Sequence, residues 1–333
     1  MTVPGAPASG EDSLIARYFM PLATDPGAFG LTDDAAVLKA LGQDIIVTTD
    51  AIVEGVHFLP DDPPQTIAKK ALRVNLSDLA AKGATPAGFV LTLALRKVDE
   101  SWLAAFARGL GEDTSAFTCP LLGGDTVSTP GPLMISITAF GRVPEGRMIH
   151  RSGARPGDHV VVTGTIGDAA LGLDILRKGR VATALANDTT SRDMLVGRYR
   201  MPEPRNALAS AIRAHAHAAM DVSDGLAGDL AKLCAASTVS ATIELAAIPL
   251  SKGASTALKA GAVTLSEIVS GGDDYEILCT VAPDALKPFA EAAGTSGVAV
   301  NRIGTIVAGK AAPKFLDAKG AELALTRRSY SHF

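Results

Sequence analysis

The sequence predicts a two-domain protein that mixes α-helices with β-strands, in the α+β or α/β class. Its 333 residues exceed the usual size of a single hydrophobic core. Apolar runs of strand length are interspersed with longer segments of helical periodicity, a pattern typical of helices that pack on sheets. The turn-rich segment RSGARPGD at residues 151–158 is the best linker candidate. We therefore expect one domain over residues 1–150 and another over residues 151–333.

The first domain is expected to contain a mixed sheet with two long helices. Strand-like apolar runs lie at residues 35–38, 45–49, 88–95 and 133–140. Helical periodicity is present at residues 66–81 and 101–110, and a short helix is predicted at residues 11–18. Strands and helices therefore mix within this domain.

The second domain begins with a strand, HVVVTG, that runs into the glycine-rich turn of GTIGDAALGLDIL and then into a helix. Glycines at such a turn can let the backbone approach a phosphate, although strand-to-helix packing is the more common explanation. Further helices are predicted at residues 208–217 and 226–234, and a strand at residues 275–280. An α/β domain is the expected result.

Acidic residues stand where apolar runs end, among Gly, Ser, Thr and Asn. Six segments share this feature: GLTDDAAVL, VTTDAIVEGVHF, NLSDLAAKGA, LLGGDT, DVSDGL and SGGDDYEI. Carboxylate, water and phosphate oxygens are the ligands that Mg²⁺ prefers, so convergence of these segments would make a multi-metal polyphosphate site. Helix caps and turns explain any one segment equally well, but six together much less well.

Two segments in the first half offer dense oxygen donors. Asp33 and Asp34 follow a turn and could hold an ion at the start of a strand. Thr48, Thr49 and Asp50 are expected to end the strand DIIVTTD, where they present two hydroxyls and a carboxylate within three residues.

Two further segments combine carboxylates with backbone groups suited to phosphate. Asp125 follows PLLGG, where Gly124 would let a backbone amide come close to a phosphate. Asp221 and Asp224 flank Ser223 just before a predicted helix, whose free amides and positive dipole end favour an anion with its metal. An ordinary N-cap formed by Ser223 and Asp224 is the alternative.

Several function classes are disfavoured. Neither GxxxxGK[ST] nor a convincing GxGxxG after a strand occurs, so a bound nucleotide would be held through metals. The net charge of −4 gives no basic surface for nucleic acid, and the longest apolar runs are too short to span a bilayer. Cys119, Cys234 and Cys279 form no CxxC pair and are expected to be buried thiols in a reducing compartment. We expect a cytoplasmic protein without a nucleic-acid or membrane partner.

Two basic or titratable residues remain ambiguous on sequence grounds. The six histidines form no metal-binding spacing, and no GxSxG nucleophile elbow is present. His57, in EGVHF, could contact a ligand or be a structural histidine. Arg151 could reach a nucleotide phosphate or form a linker salt bridge.

Seven segments, in order, resemble the thiamine-monophosphate kinase family: GLTDDAAVL, TTDAIVEGVHF, ALRVNLSDLAAKGA, LLGGDT, RSGARPGD, DVSDGL and SGGDDYEI. The similarity runs from about Asp33 to the C-terminal SYSHF. This family belongs to the superfamily of aminoimidazole ribonucleotide synthetase. The resemblance implies a homodimer whose N-terminal domains share a β-barrel-like core and whose C-terminal domains are α/β. It also implies γ-phosphoryl transfer from ATP to thiamine monophosphate with several Mg²⁺ ions, and it leaves a K⁺ requirement open.

The resemblance assigns roles to individual positions. The positions that match metal ligands are Asp33, Thr48, Thr49, Asp50, Asp78, Asp125, Asp221 and Asp224. Those that match ATP contacts are Gly124, Asp125, Arg151 and Ser223. The positions assigned to the thiamine substrate are His57, Asp273, Arg327 and Tyr330. Asp125, Asp221 and Asp224 are expected to be the catalytic residues.

Two of these positions depart from the family pattern. Asp273 replaces the Glu of GGEDYE, which shortens the side chain by one methylene group. Arg327 stands where an aromatic residue is common, and a cation there is unfavourable beside the positive thiazolium ring. Tyr330 is the candidate for the aromatic face instead.

The chemistry needs no general base. A phosphate monoester has its second pKa near ~6 and is already largely dianionic at neutral pH. The main task is to position and neutralise two phosphates that repel each other. One alternative is another ATP-dependent enzyme of the superfamily. A hydrogenase-maturation dehydratase would end in Cys, whereas this chain ends in SHF, and a selenophosphate synthetase would have a cysteine or selenocysteine near its N-terminus, whereas the first cysteine here is Cys119. Aminoimidazole ribonucleotide synthetase is not disfavoured in this way. The other alternative is a non-catalytic divalent-cation-binding regulatory protein, although no EF-hand pattern is present.

Overall fold

The computed structural model of the chain describes residues 14–31 and 38–325. Within them the fold divides into two compact units. The first unit comprises Met1–Leu79 and Ala84–Gly146, and the second comprises Ala80–Gly83 and Arg147–Phe333. Most of the predicted strand at residues 35–38 lies outside the described residues, and the predicted first helix is seen as a short helical segment, Ile15–Phe19.

In the described part of the first unit, four strands form a mixed sheet in the order β1-β4-β2-β3. The strands are β1 (Gln43–Val53), β2 (Thr85–Leu95), β3 (Leu121–Ser128) and β4 (Met134–Pro144). Two helices, α1 (Pro64–Ala81) and α2 (Glu100–Ala116), and two 3-10 segments, Met20–Leu22 and Pro26–Leu31, complete it. Strand β4 is antiparallel to β1 and β2, whereas β3 is parallel to β2. The predicted mixed sheet is confirmed, and these residues form no closed barrel.

The two faces of this sheet differ in environment. Along β4, Ile135 and Ile137 are buried while Ser136 and Thr138 are only half-buried. The buried set forms the inner face, which α1 covers: a Cβ added at Gly141 of β4 would lie 3.0 Å from a methyl group of Leu79 in α1. The outer face carries Ser136, Thr138 and the other half-buried residues of β4, together with the residues of β1 and β2 that pair with them.

Asp50 and Asp125 both lie within strands, so the prediction that the strand DIIVTTD ends at Asp50 is wrong. Strand β1 continues past Asp50 to Val53, and β3 extends from Leu121 to Ser128 on either side of Asp125. Both segments pair along their length with a neighbouring strand. Backbone pairing to neighbours outweighs the low strand propensity of Gly and Asp.

Gly124 has a steric reason to be glycine, because a Cβ there would overlap the Leu91 carbonyl oxygen of β2. At Gly123 a Cβ would meet nothing within 4 Å. We therefore expect Gly124→Ala to lower the free energy of unfolding by about 1–3 kcal/mol through overpacking. The matched variant Gly123→Ala should change it by less than about 0.5 kcal/mol. Denaturant unfolding of both variants measures the difference, and equal stabilities would contradict this contact.

Six strands form the sheet of the second unit within the described residues, in the order β10-β7-β9-β5-β8-β6. They are β5 (His159–Thr163), β6 (Ala216–Asp221), β7 (Ser240–Glu244), β8 (Ile277–Val281), β9 (Val300–Val307) and β10 (Lys314–Leu316). All neighbours are antiparallel except β10 and β7. The predicted mixture of helices and strands is confirmed, with a largely antiparallel sheet.

The helices of the second unit cover both faces of its sheet. They are α3 (Asp168–Leu176), α4 (Arg180–Ala184), α5 (Thr189–Arg200), α6 (Ala209–His215), α7 (Leu226–Ser237), α8 (Lys252–Lys259), α9 (Leu265–Ser270) and α10 (Leu286–Thr295). Three 3-10 segments precede helices: Asn206–Leu208 lies between α5 and α6, Leu245–Ala247 between β7 and α8, and Pro283–Ala285 between β8 and α10. Val160 and Val162 pack in one core with Leu230 of α7, while Val161 packs in another with Phe289 of α10. Burial on both faces explains why β5 is an uninterrupted apolar run.

One predicted helix in this unit is partly wrong. The helix expected at residues 208–217 ends at His215, and Ala216–Asp221 forms β6 instead. Alanines favour helix locally, but β6 pairs with β8 along the sheet edge, and this tertiary pairing decides the outcome.

The predicted burial of the three thiols is confirmed. Burial raises the pKa of Cys119 and Cys279 to about 12 and that of Cys234 to about 11. Among the helices of the described residues, none combines the length and apolar character needed to cross a membrane.

Candidate active site

In the first unit, predicted ligands from two acidic segments meet between β1 and α1. The Thr48 hydroxyl donates a hydrogen bond to the Asp78 carboxylate. The backbone N–H of Asp50 donates to Asn75 Oδ1 at 3.0 Å, and Asn75 lies one helical turn before Asp78. Carboxylate, hydroxyl and amide oxygens are the donors that suit a hard cation such as Mg²⁺. The Thr48 and Asp78 side chains are thus brought together on the inner face, and the backbone of Asp50 is bonded to the same helix.

Thr49 and Asp125 belong to the outer face of the same sheet. Thr49 alternates with Thr48 and Asp50 along β1, and the register pairs Asp125 with Thr92 on the outer face. Because β1 and β3 are the edge strands of the described sheet, about three strand spacings, ~14 Å, separate them. Asp50 and Asp125 of one chain are therefore not placed to share a single ion.

In the second unit, the DVSDGL and SGGDDYEI segments lie side by side. The N–H of Tyr275 donates to Val222 O at 2.8 Å, and the N–H of Asp273 donates to Ser223 O at 2.8 Å. Gly272 passes so close that a Cβ there would lie 2.6 Å from Ser223 O. The predicted ATP contact Ser223 and the predicted substrate contact Asp273 are therefore neighbours.

The N-cap explanation for Ser223 and Asp224 is wrong. Helix α7 begins at Leu226, and its N-cap is Gly225, which has no side chain to bond the first turn. Gly225 has a φ of 106°, and a Cβ there would lie 2.8 Å from the backbone of Ser270. A left-handed glycine therefore turns the chain into α7 and leaves both Ser223 and Asp224 ahead of the helix.

Asp229 and Lys232 organise this turn, and the sequence reasoning missed both. The buried Asp229 carboxylate accepts hydrogen bonds from the backbone N–H groups of Ser223 at 3.0 Å and Asp224 at 2.9 Å. Lys232 Nζ lies 2.5 Å from Asp224 and 2.8 Å from Asp229. Burial raises the pKa of Asp229 despite these bonds, while contacts with both carboxylates raise the pKa of Lys232 against the effect of burial. Asp229 and Lys232 are three residues apart and therefore lie on one face of the helix, and this spacing is the sequence feature that could have indicated their pairing.

The glycine-rich turn before α3 already holds a carboxylate from the chain itself. Asp274 accepts hydrogen bonds from the N–H groups of Gly167 at 2.7 Å and Ala169 at 3.4 Å. A Cβ at Gly167 would lie 2.7 Å from Ile268. Close packing therefore explains this turn, and an internal carboxylate lies where a phosphate would bind.

Asp274 should make the stability of the protein depend on pH. Burial, with the nearby Asp168 as a further contribution, raises its pKa well above the ordinary value of 3.8. Its protonated form is favoured in the folded state, so this contribution is complete below pH 3.8 and is lost as the pH rises towards the folded-state pKa. We expect the stability of the wild type relative to Asp274→Asn to fall by up to about 1.4 kcal/mol per pH unit in this range. Paired denaturant titrations from pH 4 to 8 measure this, and a relative stability that rises with pH would contradict it.

His57 and Arg151 have different environments. His57 Nδ1 accepts a hydrogen bond from the Val53 N–H at 3.0 Å, and Lys70 Nζ donates to His57 O at 2.8 Å. One ring nitrogen of His57 thus bonds to the backbone of the protein, which agrees with the interpretation of His57 as a structural histidine. Arg151 is exposed, and its carbonyl oxygen accepts from Ser237 Oγ at 3.5 Å.

Metal binding stays a prediction. Across residues 14–31 and 38–325, no group of three or more His, Cys, Asp or Glu side chains is arranged to hold a metal ion. Asp33, a predicted ligand, lies outside these residues, as do the predicted substrate contacts Arg327 and Tyr330. The oxygen-only donors around Thr48, Asp50 and Asp78 nevertheless fit the chemistry of Mg²⁺.

Comparison with known proteins identifies the class of this chain. Residues 32–143 match the family described as AIR synthase related protein, N-terminal domain, and residues 155–313 match its C-terminal domain. A two-domain protein of the AIR synthase-related class is therefore what the fold and the acidic segments define.

Individual relatives are more specific. The chain is 43% identical to the thiamine-monophosphate kinase of Caulobacter vibrioides, over 99% of this chain and 92% of the relative. The crystal structure of thiamine-monophosphate kinase from Stenotrophomonas maltophilia K279a is 34% identical, with a TM-score of 0.79 over 94% of this chain and 96% of that one. The structure of AaThiL complexed with AMPPCP and TMP is 28% identical, with a TM-score of 0.75 over 92% and 97%. The chain belongs to the thiamine-monophosphate kinase family.

Proposed function

We propose that the protein transfers the γ-phosphoryl group of ATP to thiamine monophosphate, giving thiamine diphosphate and ADP by direct in-line transfer. The observation that carries this proposal is the 43% identity, over 99% of the chain, to the Caulobacter vibrioides kinase. The AaThiL complex, which holds AMPPCP and TMP, supports the same pair of substrates.

Several Mg²⁺ ions are part of this proposal. When bound, Mg²⁺ would neutralise the charge of the phosphates that must approach each other. The residues proposed to hold these ions are Asp33, Thr48, Thr49, Asp50, Asp78, Asp125, Asp221 and Asp224. Lys232 already lies against the Asp224 carboxylate, so a Mg²⁺ ion at Asp224 would have to displace or share that contact.

The other residues are proposed to orient the two substrates. Gly124, Arg151 and Ser223 contact ATP, with the turn before α7 and the positive dipole end of that helix beside its phosphates. His57 and Asp273, with Arg327 and Tyr330, contact thiamine monophosphate. No residue removes a proton, because the acceptor phosphate is already largely dianionic when its second pKa is near ~6. Orientation of the acceptor and the γ-phosphate is thus the main contribution of the chain.

A homodimer through the outer face of the first-unit sheet is also proposed. Val47 of β1 is 58% exposed and Val127 of β3 is 42% exposed, and the register places Val90 and Phe140 on the same face. These apolar side chains share the face with polar ones such as Thr49 and Asp125, and exposed apolar side chains grouped on one sheet face indicate a surface that binds protein. A second copy would cover it and pair the two open sheets into the barrel-like core that the family resemblance implies.

A cytoplasmic location agrees with this function. ATP is the proposed substrate, and the three buried cysteines are unpaired thiols among the described residues.

The test is thiamine diphosphate formation by purified protein with ATP and Mg²⁺. Thiamine monophosphate, free thiamine and an aminoimidazole ribonucleotide precursor serve as parallel acceptors, in K⁺ and in Na⁺ buffers. Product from the monophosphate alone is expected. Binding of Mg-ATP without product from it would mean that the protein serves another acceptor. Light scattering of the same sample tests the homodimer.

A further inference from the structure

A buried ionic cluster lies behind the segment that carries Asp273, and the site described above does not use it. Glu276 is completely buried and accepts from Arg198 at 2.6 Å, from Arg205 Nε at 2.7 Å and from the Thr163 hydroxyl at 2.6 Å. Arg198 also donates to the carbonyl oxygen of Asp274 at 3.1 Å. A terminal nitrogen of Arg205 donates to the second Glu276 oxygen, so Arg205 is bidentate, and a bidentate contact fixes orientation as well as charge.

The cluster is electrically balanced, which allows it to be buried. Glu203 is exposed and lies 3.3 Å from Arg198 and 3.2 Å from Arg205. Two guanidinium groups therefore face two carboxylates. Contacts with Glu276 and Glu203 raise the pKa of Arg205 although burial alone would lower it.

The segment beside this cluster has a strained backbone. Asp273 has a φ of 71° and Tyr275 a φ of 50°, in the left-handed region that costs a non-glycine residue free energy. Such conformations persist only where surrounding contacts hold them, and they concentrate at functional sites. Asp274 and Glu276, on either side of Tyr275, are the anchored side chains.

The facing segment has a separate anchor. Asp229 holds Ser223 and Asp224 through their backbone N–H groups, with no member of the Glu276 cluster among its bonds to them. The two paired segments therefore depend on different buried carboxylates. One carries the proposed ATP contact Ser223, and the other carries the proposed acceptor contact Asp273.

We propose that Glu276, held by Arg198, Arg205 and Thr163, positions Asp273 for the thiamine monophosphate acceptor, while Asp229 positions the nucleotide side. This proposal rests on the proposed function. The members of the cluster are positioning residues, because they act on the substrate through the backbone of residues 273–276. Because the segment of Ser223 keeps its own anchor, Asp229, loss of the cluster should affect binding of the acceptor much more than binding of ATP.

The kinetic test uses Thr163→Val, which removes the hydroxyl bond to Glu276 and the bond that the same hydroxyl accepts from the Ile277 N–H at 2.8 Å, with little change of shape. Thr163→Ser keeps the hydroxyl, and Arg205→Lys tests the Glu276 contacts without touching Ile277. We expect Thr163→Val to raise the KM for thiamine monophosphate about tenfold and to change the KM for ATP less than twofold. Thr163→Ser should restore wild-type values. Arg205→Lys, which keeps the charge but loses the planar fork, should resemble Thr163→Val. Asp229→Asn should show the opposite split, with a raised KM for ATP.

A second readout does not need activity. The N–H groups of Asp273 and Tyr275 bond to Ser223 and Val222, so their hydrogen exchange reports the position of the strained segment. We expect exchange at both to accelerate at least tenfold in Thr163→Val and to stay at the wild-type rate in Thr163→Ser.

The outcomes separate the two proposals. Unchanged KM values and unchanged exchange in Thr163→Val would overturn the positioning role, as would an equal rise of both KM values. A wild-type protein that does not phosphorylate thiamine monophosphate would refute the proposed function alone. Exchange at Asp273 and Tyr275 would then still decide whether the cluster positions this segment.

Discussion

Replacing Asp125 with Asn is expected to reduce turnover with ATP and thiamine monophosphate by a factor of about 10²–10³. Asp125 is exposed on edge strand β3 and is proposed to hold a metal ion at the phosphates. Asn preserves the size of the side chain but loses the negative charge that attracts Mg²⁺. The thermal midpoint should stay within about 1 °C of the wild type, because exposed substitutions change stability little.

Glu145→Gln is the matched control. Glu145 is an exposed carboxylate of the same unit, just after β4, and it has no proposed role in the site. This variant should keep full turnover and the same dependence on Mg²⁺ concentration. Full turnover of Asp125→Asn at low Mg²⁺ would remove Asp125 from the metal site.

Asp113→Ala is expected to lower the free energy of unfolding of the first unit by about 3 kcal/mol. Asp113 of α2 is buried and receives two hydrogen bonds from Arg73 of α1, from Nε at 2.6 Å and from the terminal nitrogen at 2.8 Å. The helices approach closely nearby, because a Cβ at Gly109 would lie 2.5 Å from Gln65 O. Removing the carboxylate leaves a largely buried guanidinium without its principal partner.

The adjacent residue provides the control for this prediction. Glu112 pairs with Lys69 at 2.6 Å between the same two helices, but its side chain is 54% exposed. Solvent screens such a pair, so Glu112→Ala should cost less than about 1 kcal/mol. Urea unfolding of the two variants measures the difference. Equal losses of unfolding free energy in the two variants would show that burial does not make the Arg73–Asp113 pair more stabilising than the exposed pair.

Residues 14–31 and 38–325 show which parts of the fold local pattern predicts well. The strands around residues 45–49, 88–95 and 133–140 and the helix at residues 66–81 are present, each longer than predicted. Periodic burial dictates such elements, because one face of each must be apolar. Strand β6 was missed because HAHAAM has helical propensity and forms a strand only beside β8.

In the candidate site, too, local sequence pattern identified some residues and missed those whose partners are distant in sequence. The acidic segments were recognisable because carboxylates among Gly, Ser and Thr are unusual next to apolar runs. Sequence spacing could not show that Asp229 holds the turn of Ser223, or that Glu276 lies between two arginines. Arg198 and Arg205 are separated from Glu276 by more than 70 residues.

The sequence by itself determined the membership of a family. It also predicted a two-domain organisation and presented the residue types that suit the proposed metal-dependent phosphoryl transfer. Those properties depend on local pattern and on the order of motifs, which the chain carries directly. Only the tertiary structure decided that Thr48 and Thr49 face opposite sides of a sheet and that Asp273 is held in a strained conformation beside Ser223. Strand register and long-range hydrogen bonds set these features, because the free energy that orders each segment comes from partners distant in sequence.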